Sequence, residues 1–203
     1  AATYDDSATE DDGSCIYTSF YDLSYQSGPN LVSYFKSPHL DDLFAVQDLS
    51  SLFSDNNLYS ILGQTNAAFL INDSWAGSLT EINQTYGYWI KLNEAETIGY
   101  LTYPNNDDLV YSLNSGPNLI SFPLPNIFAL EDVLPSSLDD VVYAILSEDE
   151  AAYYQDGQWV GSLSSLECFN GYWFKSNEPI EFSFEIPDNA LSRSVVVDEP
   201  KVL

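Results

Sequence analysis

The sequence is poor in groups that carry positive charge, bind metals or act as nucleophiles. Its 203 residues include five Lys or Arg, one His and two Cys, and Met is absent. Because nucleic-acid binding needs a basic surface, this composition excludes DNA and RNA as main partners. The same scarcity argues against binding to acidic membranes.

Long hydrophobic runs are also missing. No stretch approaches the roughly 18 to 20 apolar residues that a membrane-spanning helix requires, so we expect no membrane insertion. The first residues do not form a signal peptide, and the chain starts at Ala1 rather than at Met. We therefore expect a processed piece of a longer polypeptide, with any targeting signal in the preceding part.

Acidic and aromatic residues are abundant instead. There are 31 Asp or Glu residues, which give a formal net charge of −26. The simplest interpretation of that charge is that it keeps the protein soluble in a saline medium. With 15 Tyr, 11 Phe and 4 Trp, the chain has enough apolar surface to build packed cores, which predicts a folded protein.

Two tandem copies of one sequence unit make up most of the chain. The segment Ser-Gly-Pro-Asn-Leu-Val-Ser at 27–33 recurs with one change at 115–121, and Gly-Tyr-Trp at 87–89 recurs at 171–173. From Phe44 onward the copies keep a constant offset of 84. The predicted domains are an acidic cysteine-containing segment (1–20), the first copy (21–103), a linker (104–108), the second copy (109–186) and a tail (187–203).

Each copy is predicted to contain a strand, a short helix, a hairpin and two further strands. Apolar spacing predicts helices within 46–53 and 130–138, and Pro135 limits the second one. Hairpin turns are predicted at Asn72-Asp73 and Asp156-Gly157. The predicted fold class is mainly β (α+β), with two pseudo-symmetric β-rich units that each carry one short helix.

The first 15 residues carry a recognisable pattern: Tyr4-Asp5, Ala8-Thr9 and Asp-Asp-Gly-Ser-Cys at 11–15. This pattern resembles the Asn-Tyr-Asp-Pro/Asp-Asp-Gly-Ser-Cys repeat of secreted marine bacterial and marine phage proteins. The resemblance implies an extracellular spacer between modules.

The acidic segment is also a candidate calcium site. Asp5, Asp11 and Asp12 could supply the oxygen ligands that Ca²⁺ prefers, and Gly13 the sharp turn. The spacing is not that of an EF-hand. The alternative is a solvated acidic linker without metal.

Cys15 and Cys168 are the only cysteines. In an oxidising compartment they could form a disulfide that ties the leading segment to the second copy. The resemblance of the leading segment implies instead that Cys15 pairs with a cysteine of the preceding part, which leaves Cys168 as a buried thiol.

The four tryptophans fall in two equivalent pairs, Trp75 with Trp159 and Trp89 with Trp173. They either pack into the cores and hairpins or form an exposed platform on which a sugar ring stacks. Trp75 and Trp159 lie beside the hairpin turns, so they are the candidate ligand-binding residues. In the second pair, strand alternation places Trp89 on one face with Lys91, and Trp173 with Lys175, where each Lys should pair with a carboxylate or cover the ring.

Catalytic motifs are not evident. His39, beside Asp41 and Asp42, is the only histidine and lies where the first copy has an insertion, so a surface loop is the favoured reading. No phosphate loop, nucleophile elbow or metal-binding helix motif is present. We predict that the chain is not an enzyme.

The repeated body, from the Asn-Leu-Ile-Ser type of start to Gly-Tyr-Trp, resembles tandem β-rich repeats of large secreted prokaryotic proteins, and no activity accompanies that resemblance. The predicted function is a non-enzymatic extracellular structural or adhesive module of a cell surface, filament or virion surface. Its expected partners are copies of itself or other modules of a longer polypeptide. The alternative is a carbohydrate-binding module that uses exposed Trp and Tyr and has glycans as partners.

Overall fold

A computed structural model of the protein describes residues 19–34, 43–102 and 109–187. These residues form 18 strands, two short α-helices and one 3-10 helix. Each copy contains one antiparallel five-stranded sheet with the same strand order. The predicted mainly β fold class, with two similar units, is confirmed.

The first copy begins with a strand that the sequence did not predict. Its elements are β1 (Ser19–Tyr25), β2 (Gly28–Ser33), β3 (Leu43–Ala45), α1 (Val46–Ser50), β4 (Leu58–Leu62), β5 (Ala67–Ile71), β6 (Ser74–Gly77), β7 (Glu81–Asn83), β8 (Gly87–Leu92) and β9 (Glu96–Thr102). The five-stranded sheet has the order β2-β8-β4-β5-β6. Strand β1 pairs with β9, and β3 pairs with β7.

The second copy repeats this arrangement. Its elements are β10 (Tyr111–Leu113), β11 (Gly116–Ser121), β12 (Ile127–Ala129), α2 (Leu130–Val133), the 3-10 helix (Ser136–Leu138), β13 (Val142–Leu146), β14 (Ala151–Gln155), β15 (Gln158–Gly161), β16 (Ser165–Glu167), β17 (Gly171–Ser176) and β18 (Ile180–Phe182). The sheet order is β11-β17-β13-β14-β15, with the pairs β10–β18 and β12–β16 beside it.

Buried and half-buried side chains alternate along β8 and β17, which shows the face of each sheet on which the core lies. Tyr88, Ile90 and Leu92 are buried, whereas Trp89 and Lys91 between them are half-buried on the other face. The same pattern holds at 171–176. Each sheet therefore has one face on its own core, with a second face left for other contacts.

The short helices agree with the apolar spacing but are shorter than predicted. Helix α1 ends at Ser50, so Leu52 and Phe53 follow it in turns rather than in the helix. Helix α2 ends at Val133, and Pro135 is the N-cap of the 3-10 helix that follows. Proline cannot continue a helix, which explains why the second one stops there.

Both predicted hairpin turns are present. Asn72 and Asp73 have φ of 50° and 60°, and Asp156 and Gly157 have φ of 52° and 82°. Positive φ at both central residues matches the twist of the flanking strands, which favours Asn, Asp and Gly there. These turns hold Trp75 and Trp159 on the outer strands β6 and β15.

No helix in the described ranges combines the length and apolar character that crossing a bilayer requires.

Candidate functional site

The recurring Ser-Gly-Pro-Asn segment forms a locked turn at the start of β2 and β11. Gly28 and Gly116 have φ of 90° and 96°, which favours glycine. The Asn30 amide nitrogen donates to the Gln26 carbonyl at 2.9 Å, and Asn30 Oδ1 accepts the Gln26 N–H at 2.8 Å. Asn118 makes the same two bonds to Asn114.

After this turn, the edge strand of each copy is bonded to the other copy. The Ser33 N–H donates to the Phe169 carbonyl at 2.7 Å, and the Ser121 N–H donates to the Thr85 carbonyl at 3.1 Å. Residues 85 and 169 are equivalent, so the two bonds are related by a pseudo-twofold axis. A strand edge that would otherwise offer free amides is therefore covered.

Side chains complete this reciprocal capping two residues earlier. The Leu31 N–H donates to Glu148 Oε2 at 3.0 Å, and the Leu119 N–H donates to Gln64 Oε1 at 2.9 Å. Gln64 and Glu148 are again equivalent. A neutral amide in one half of the interface and a carboxylate in the other thus accept the equivalent leucine N–H.

Two leucines form the apolar centre of this interface. Leu31 and Leu119 are 4% and 2% exposed, yet neither belongs to the core of its own copy. They face Gly171 and Gly87, the first residues of the two Gly-Tyr-Trp triplets, and a Cβ at Gly171 would lie 2.7 Å from the Val32 carbonyl oxygen. The glycine of each triplet is therefore required by the close approach of the other copy.

The tyrosine of the same triplet belongs to the core. The Asn83 N–H donates to the Tyr88 hydroxyl at 2.8 Å, and the Glu167 N–H donates to the Tyr172 hydroxyl at 2.7 Å. Burial raises the pKa of each tyrosine to about 12. Both phenols therefore remain neutral at ordinary pH and have a structural role.

The interface is not fully symmetric, because Phe169 enters the first core. It is 6% exposed and packs edge-on against Tyr21 and Tyr100, with ring centroids 4.8 and 5.6 Å apart. Its φ is 64°, a region that bulky residues rarely adopt. The equivalent residue, Thr85, instead bonds to Asn83 within its own loop.

A small cleft lies between the copies on the Thr85 side. Its volume is about 180 Å³, and its lining includes Gln64, Asn66, Tyr86 and Asn118. The Gln64 amide is already used, donating to the Pro117 carbonyl at 2.8 Å and accepting from Leu119. This cleft is therefore narrow, and part of its polar lining belongs to the interface.

The predicted ligand residue Trp159 lines a much larger groove. The groove has a volume of about 710 Å³ and lies between the β14–β15 hairpin and the segment that carries α2 and the 3-10 helix. Trp159 is half-buried, packs against the second core and meets the Tyr154 ring edge-on at 5.3 Å. Partial desolvation, followed by the nearby Asp139 carboxylate, raises the pKa of Tyr154.

The predicted ligand residue Trp75 lines the equivalent groove of the first copy. This groove is smaller, about 320 Å³, and Trp75 is also half-buried against its core. Leu70 takes the place of Tyr154, and Asp55 that of Asp139. The structure does not bring Trp75 and Trp159 into one shared groove.

The other two tryptophans lie on the sheet faces that point away from the cores, the same faces that carry the interface leucines. Trp89 pairs across the strands with Leu31, and Trp173 with Leu119. Lys91 and Lys175 share those faces, as strand alternation predicted. Their contact with the rings or with a carboxylate stays a prediction.

Several predicted sites lie outside the described residues, namely Asp5, Asp11, Asp12, Cys15 and His39. The calcium site and the cysteine pairing therefore stay predictions. Cys168 is half-buried and packs against the first core, next to Phe169. Within the described ranges, no three His, Cys, Asp or Glu residues are grouped so that they could hold a metal ion.

The short linker and the aromatic-rich copies predict that the two units pack against each other, and the structure confirms this. The residues that form the interface and the insertion of Phe169 were not predicted. One signal for the interface was present: Leu31 and Val32, like Leu119 and Ile120, are adjacent apolar residues in a strand. Because neighbours in a strand point to opposite faces, both faces had to be buried. The Phe169 insertion had no such signal, since it occurs in one copy only.

Comparison with known proteins found no matching family model, curated protein or solved structure, so function must be inferred from the chain's own residues.

Proposed function

We propose that the chain is a non-enzymatic structural or adhesive module that acts outside the cell, on a cell surface, in an exported filament or on a virion surface. The observation that carries this proposal is the reciprocal capping of β2 and β11. Backbone hydrogen bonds from both edge strands, together with the buried leucines, hold the two copies against each other as a pair. Such a pair resists relative movement of its halves, which suits a load-bearing part.

The charge distribution supports an extracellular setting. A net charge of −26 keeps the chain soluble and repels nucleic acids and anionic lipids. It also attracts divalent cations to the leading acidic segment. We therefore include Ca²⁺, held by Asp5, Asp11 and Asp12, as the ion that links this module to its neighbours.

The partners in this proposal are other copies of the chain or other modules of a longer polypeptide. Since β2 and β11 are occupied, the remaining edge strands of the two five-stranded sheets are β6 and β15, which contain four residues each. Short outer strands limit uncontrolled edge pairing, which favours assembly that needs a second contact such as bound calcium.

The test is light scattering of the full chain with about 5 mM CaCl₂, a level above the dissociation constants typical of extracellular calcium modules, and with a chelator. We expect the mass to rise with calcium and to return to that of one chain with the chelator. The matched control is Asp11→Asn with Asp12→Asn, which should remove the response. A chain that stays monomeric in both conditions overturns the assembly role.

The second candidate function is carbohydrate recognition through Trp75 and Trp159. The observation that favours it is that each tryptophan is half-exposed and lines a groove beside the short helix of its copy. A sugar has an apolar ring face and polar hydroxyl groups, and both grooves place a tryptophan among polar side chains.

A further inference from the structure

The geometry points to one sugar site, not two: the groove of the second copy, lined by Trp159, Tyr154 and Asp139, binds a neutral sugar, and the groove beside Trp75 does not. This inference rests on the second candidate function and is independent of the structural role. It names the site and the chemical class of the ligand.

The size of the second-copy groove suits a small ligand. Its volume of about 710 Å³ falls within the usual range of small-molecule sites, roughly 300 to 1,000 Å³. Backbone hydrogen bonds hold both ends of α2, which forms one of its walls, in place. The Leu130 N–H donates to the Ser164 carbonyl at 3.1 Å, and the Glu185 N–H donates to the Val133 carbonyl at 2.8 Å. The groove is thus preformed, which lowers the entropic cost of binding.

The aromatic wall offers one flat surface. Tyr154 and Trp159 lie directly opposite each other on β14 and β15, with an angle of 62° between their rings. The edge-on contact orients the indole while leaving Trp159 half-exposed in the groove. A single flat apolar surface suits the apolar face of a sugar ring. A cation would instead be held best by several ring faces around it.

The polar wall combines three carboxylates with three serine hydroxyl groups and one amide. Carboxylates of Asp139, Glu131 and Glu185 line the groove together with the Gln158 amide. Ionised carboxylates only accept hydrogen bonds, so they match the hydroxyl groups of a sugar, which donate. They also repel carboxylated or sulfated sugars, as does the net charge of the chain. The ligand is therefore a neutral sugar.

The first-copy groove keeps Asp55 and Trp75 at the positions of Asp139 and Trp159 but lacks other features of the second-copy groove. Leu70 replaces Tyr154, so no ring orients Trp75 from the neighbouring strand, and Gln47 replaces Glu131. Its volume, about 320 Å³, lies at the lower end of the range of small-molecule sites. The first-copy groove therefore serves as an internal negative control for sugar binding in the second-copy groove.

The experiment is titration of the full chain with cellohexaose, maltohexaose and chitohexaose, followed by tryptophan fluorescence and calorimetry. Hexagalacturonate serves as the anionic probe and choline chloride as the cationic one. We expect saturable binding of at least one neutral hexasaccharide at one site per chain, and at least tenfold tighter binding than either charged probe.

Variants locate the site. Trp159→Ala should weaken binding at least tenfold, whereas Trp75→Ala should change it less than twofold. Because Trp159→Ala removes a large ring, Tyr154→Leu provides a second test: it installs the residue that the first copy tolerates and should weaken binding about fivefold. Asp139→Asn should weaken it as well. Circular dichroism checks that each variant is folded.

The outcomes separate the inference from the function on which it rests. If Trp75→Ala abolishes binding and Trp159→Ala does not, carbohydrate recognition stands and the inference is overturned. Tight binding of choline or hexagalacturonate overturns the neutral-sugar assignment. If no neutral hexasaccharide binds at concentrations up to about 10 mM, which corresponds to less than about 3 kcal/mol, both the inference and the second candidate function fail.

Discussion

The two copies share a framework but differ in what fills their cores. Both use the same turn, the same sheet order and the same capped edge strand. The first core also receives Phe169 from the second copy, whereas Thr85 stays in its own loop. The comparison shows that the repeated residues encode the fold and the interface, and that the unrepeated ones encode the asymmetry between the copies.

The two-stranded pairs β1–β9 and β10–β18, which lie beside the five-stranded sheets, also differ between the copies. Strand β1 pairs with β9 over seven residues, whereas β10 pairs with β18 over three. Ring contacts accompany both pairs: Tyr111, Phe182 and Phe184 contact one another in the second copy, and Tyr21 and Tyr100 contact Phe169 in the first. The two copies therefore differ in the length of this strand pair, while both pack aromatic rings beside it.

The largest expected effect comes from removing the inserted ring. Phe169→Ala should lower the free energy of unfolding by about 3 kcal/mol, because it leaves a cavity in the first core. The matched control Thr85→Ala should cost about 1 kcal/mol or less. Urea denaturation measures both changes.

A second variant separates the cavity from the backbone strain. The Phe169→Gly protein should lose about 1 kcal/mol less unfolding free energy than removal of the ring alone predicts. Glycine adopts φ near 64° without penalty, so this variant relieves the backbone strain. A Phe169→Ala protein as stable as the wild type would show that the insertion does not support the first core.

A smaller effect should come from a buried hydroxyl. Ser60 is 2% exposed, and its Oγ has no hydrogen-bond partner among the described residues. The equivalent residue, Ala144, is equally buried and has no such group. Ser60→Ala should therefore stabilise the protein by about 1 kcal/mol.

The reverse exchange, Ala144→Ser, is the matched control. It should destabilise the protein by a similar amount, because it introduces an unsatisfied polar group into the second copy. Thermal unfolding of both variants tests the pair. A loss of stability in Ser60→Ala would contradict the assignment of an unsatisfied hydroxyl.

The smallest effect should come from Glu96, which the second copy replaces with Ile180. Its carboxylate accepts hydrogen bonds from the Ser54 N–H at 2.9 Å, the Ser54 hydroxyl at 2.6 Å and the Asn57 amide at 2.6 Å. Desolvation alone would raise the pKa of Glu96, but these bonds outweigh it and hold the pKa below its usual value. Because Glu96 is only half-buried, Glu96→Gln should cost only about 0.5 kcal/mol.

The pH dependence of that cost follows from the lowered pKa. The folded state favours the carboxylate, so the contribution of Glu96 is complete above its unfolded pKa of about 4.3 and is lost as the pH falls through the lower folded pKa. Denaturation of wild type and Glu96→Gln at pH 7 and at pH 3 measures the difference. A stability gap that widens towards acid would contradict this sign.

Much of the framework was predictable from local chemistry. Turn residues fixed the hairpins at 72–73 and 156–157, and Pro135 limited α2, because those residues restrict their own backbone. Strand β1 was missed because its pairing with β9 is non-local. Helix α1 is shorter than its apolar spacing suggested because turns also place Leu52 and Phe53 against the core.

The site was predictable only in part. The repeat identified Trp75 and Trp159 as equivalent, and both line grooves. The sequence did not separate the two grooves, since the difference depends on Tyr154 lying opposite Trp159 across a strand pair. The reciprocal capping needed three-dimensional information, because Glu148 bonds to Leu31 across 117 positions of the chain.

The capped interface also limits how the chain can grow into larger arrays. An interface in which each half presents the same patch is isologous, and such a contact closes after two members. The duplicated chain is therefore equivalent to a covalently linked twofold dimer. In it, each copy already uses this patch to bind the other copy. Within the two five-stranded sheets, strand addition is left with β6 and β15, one per copy, and growth through these two ends alone gives an unbranched chain.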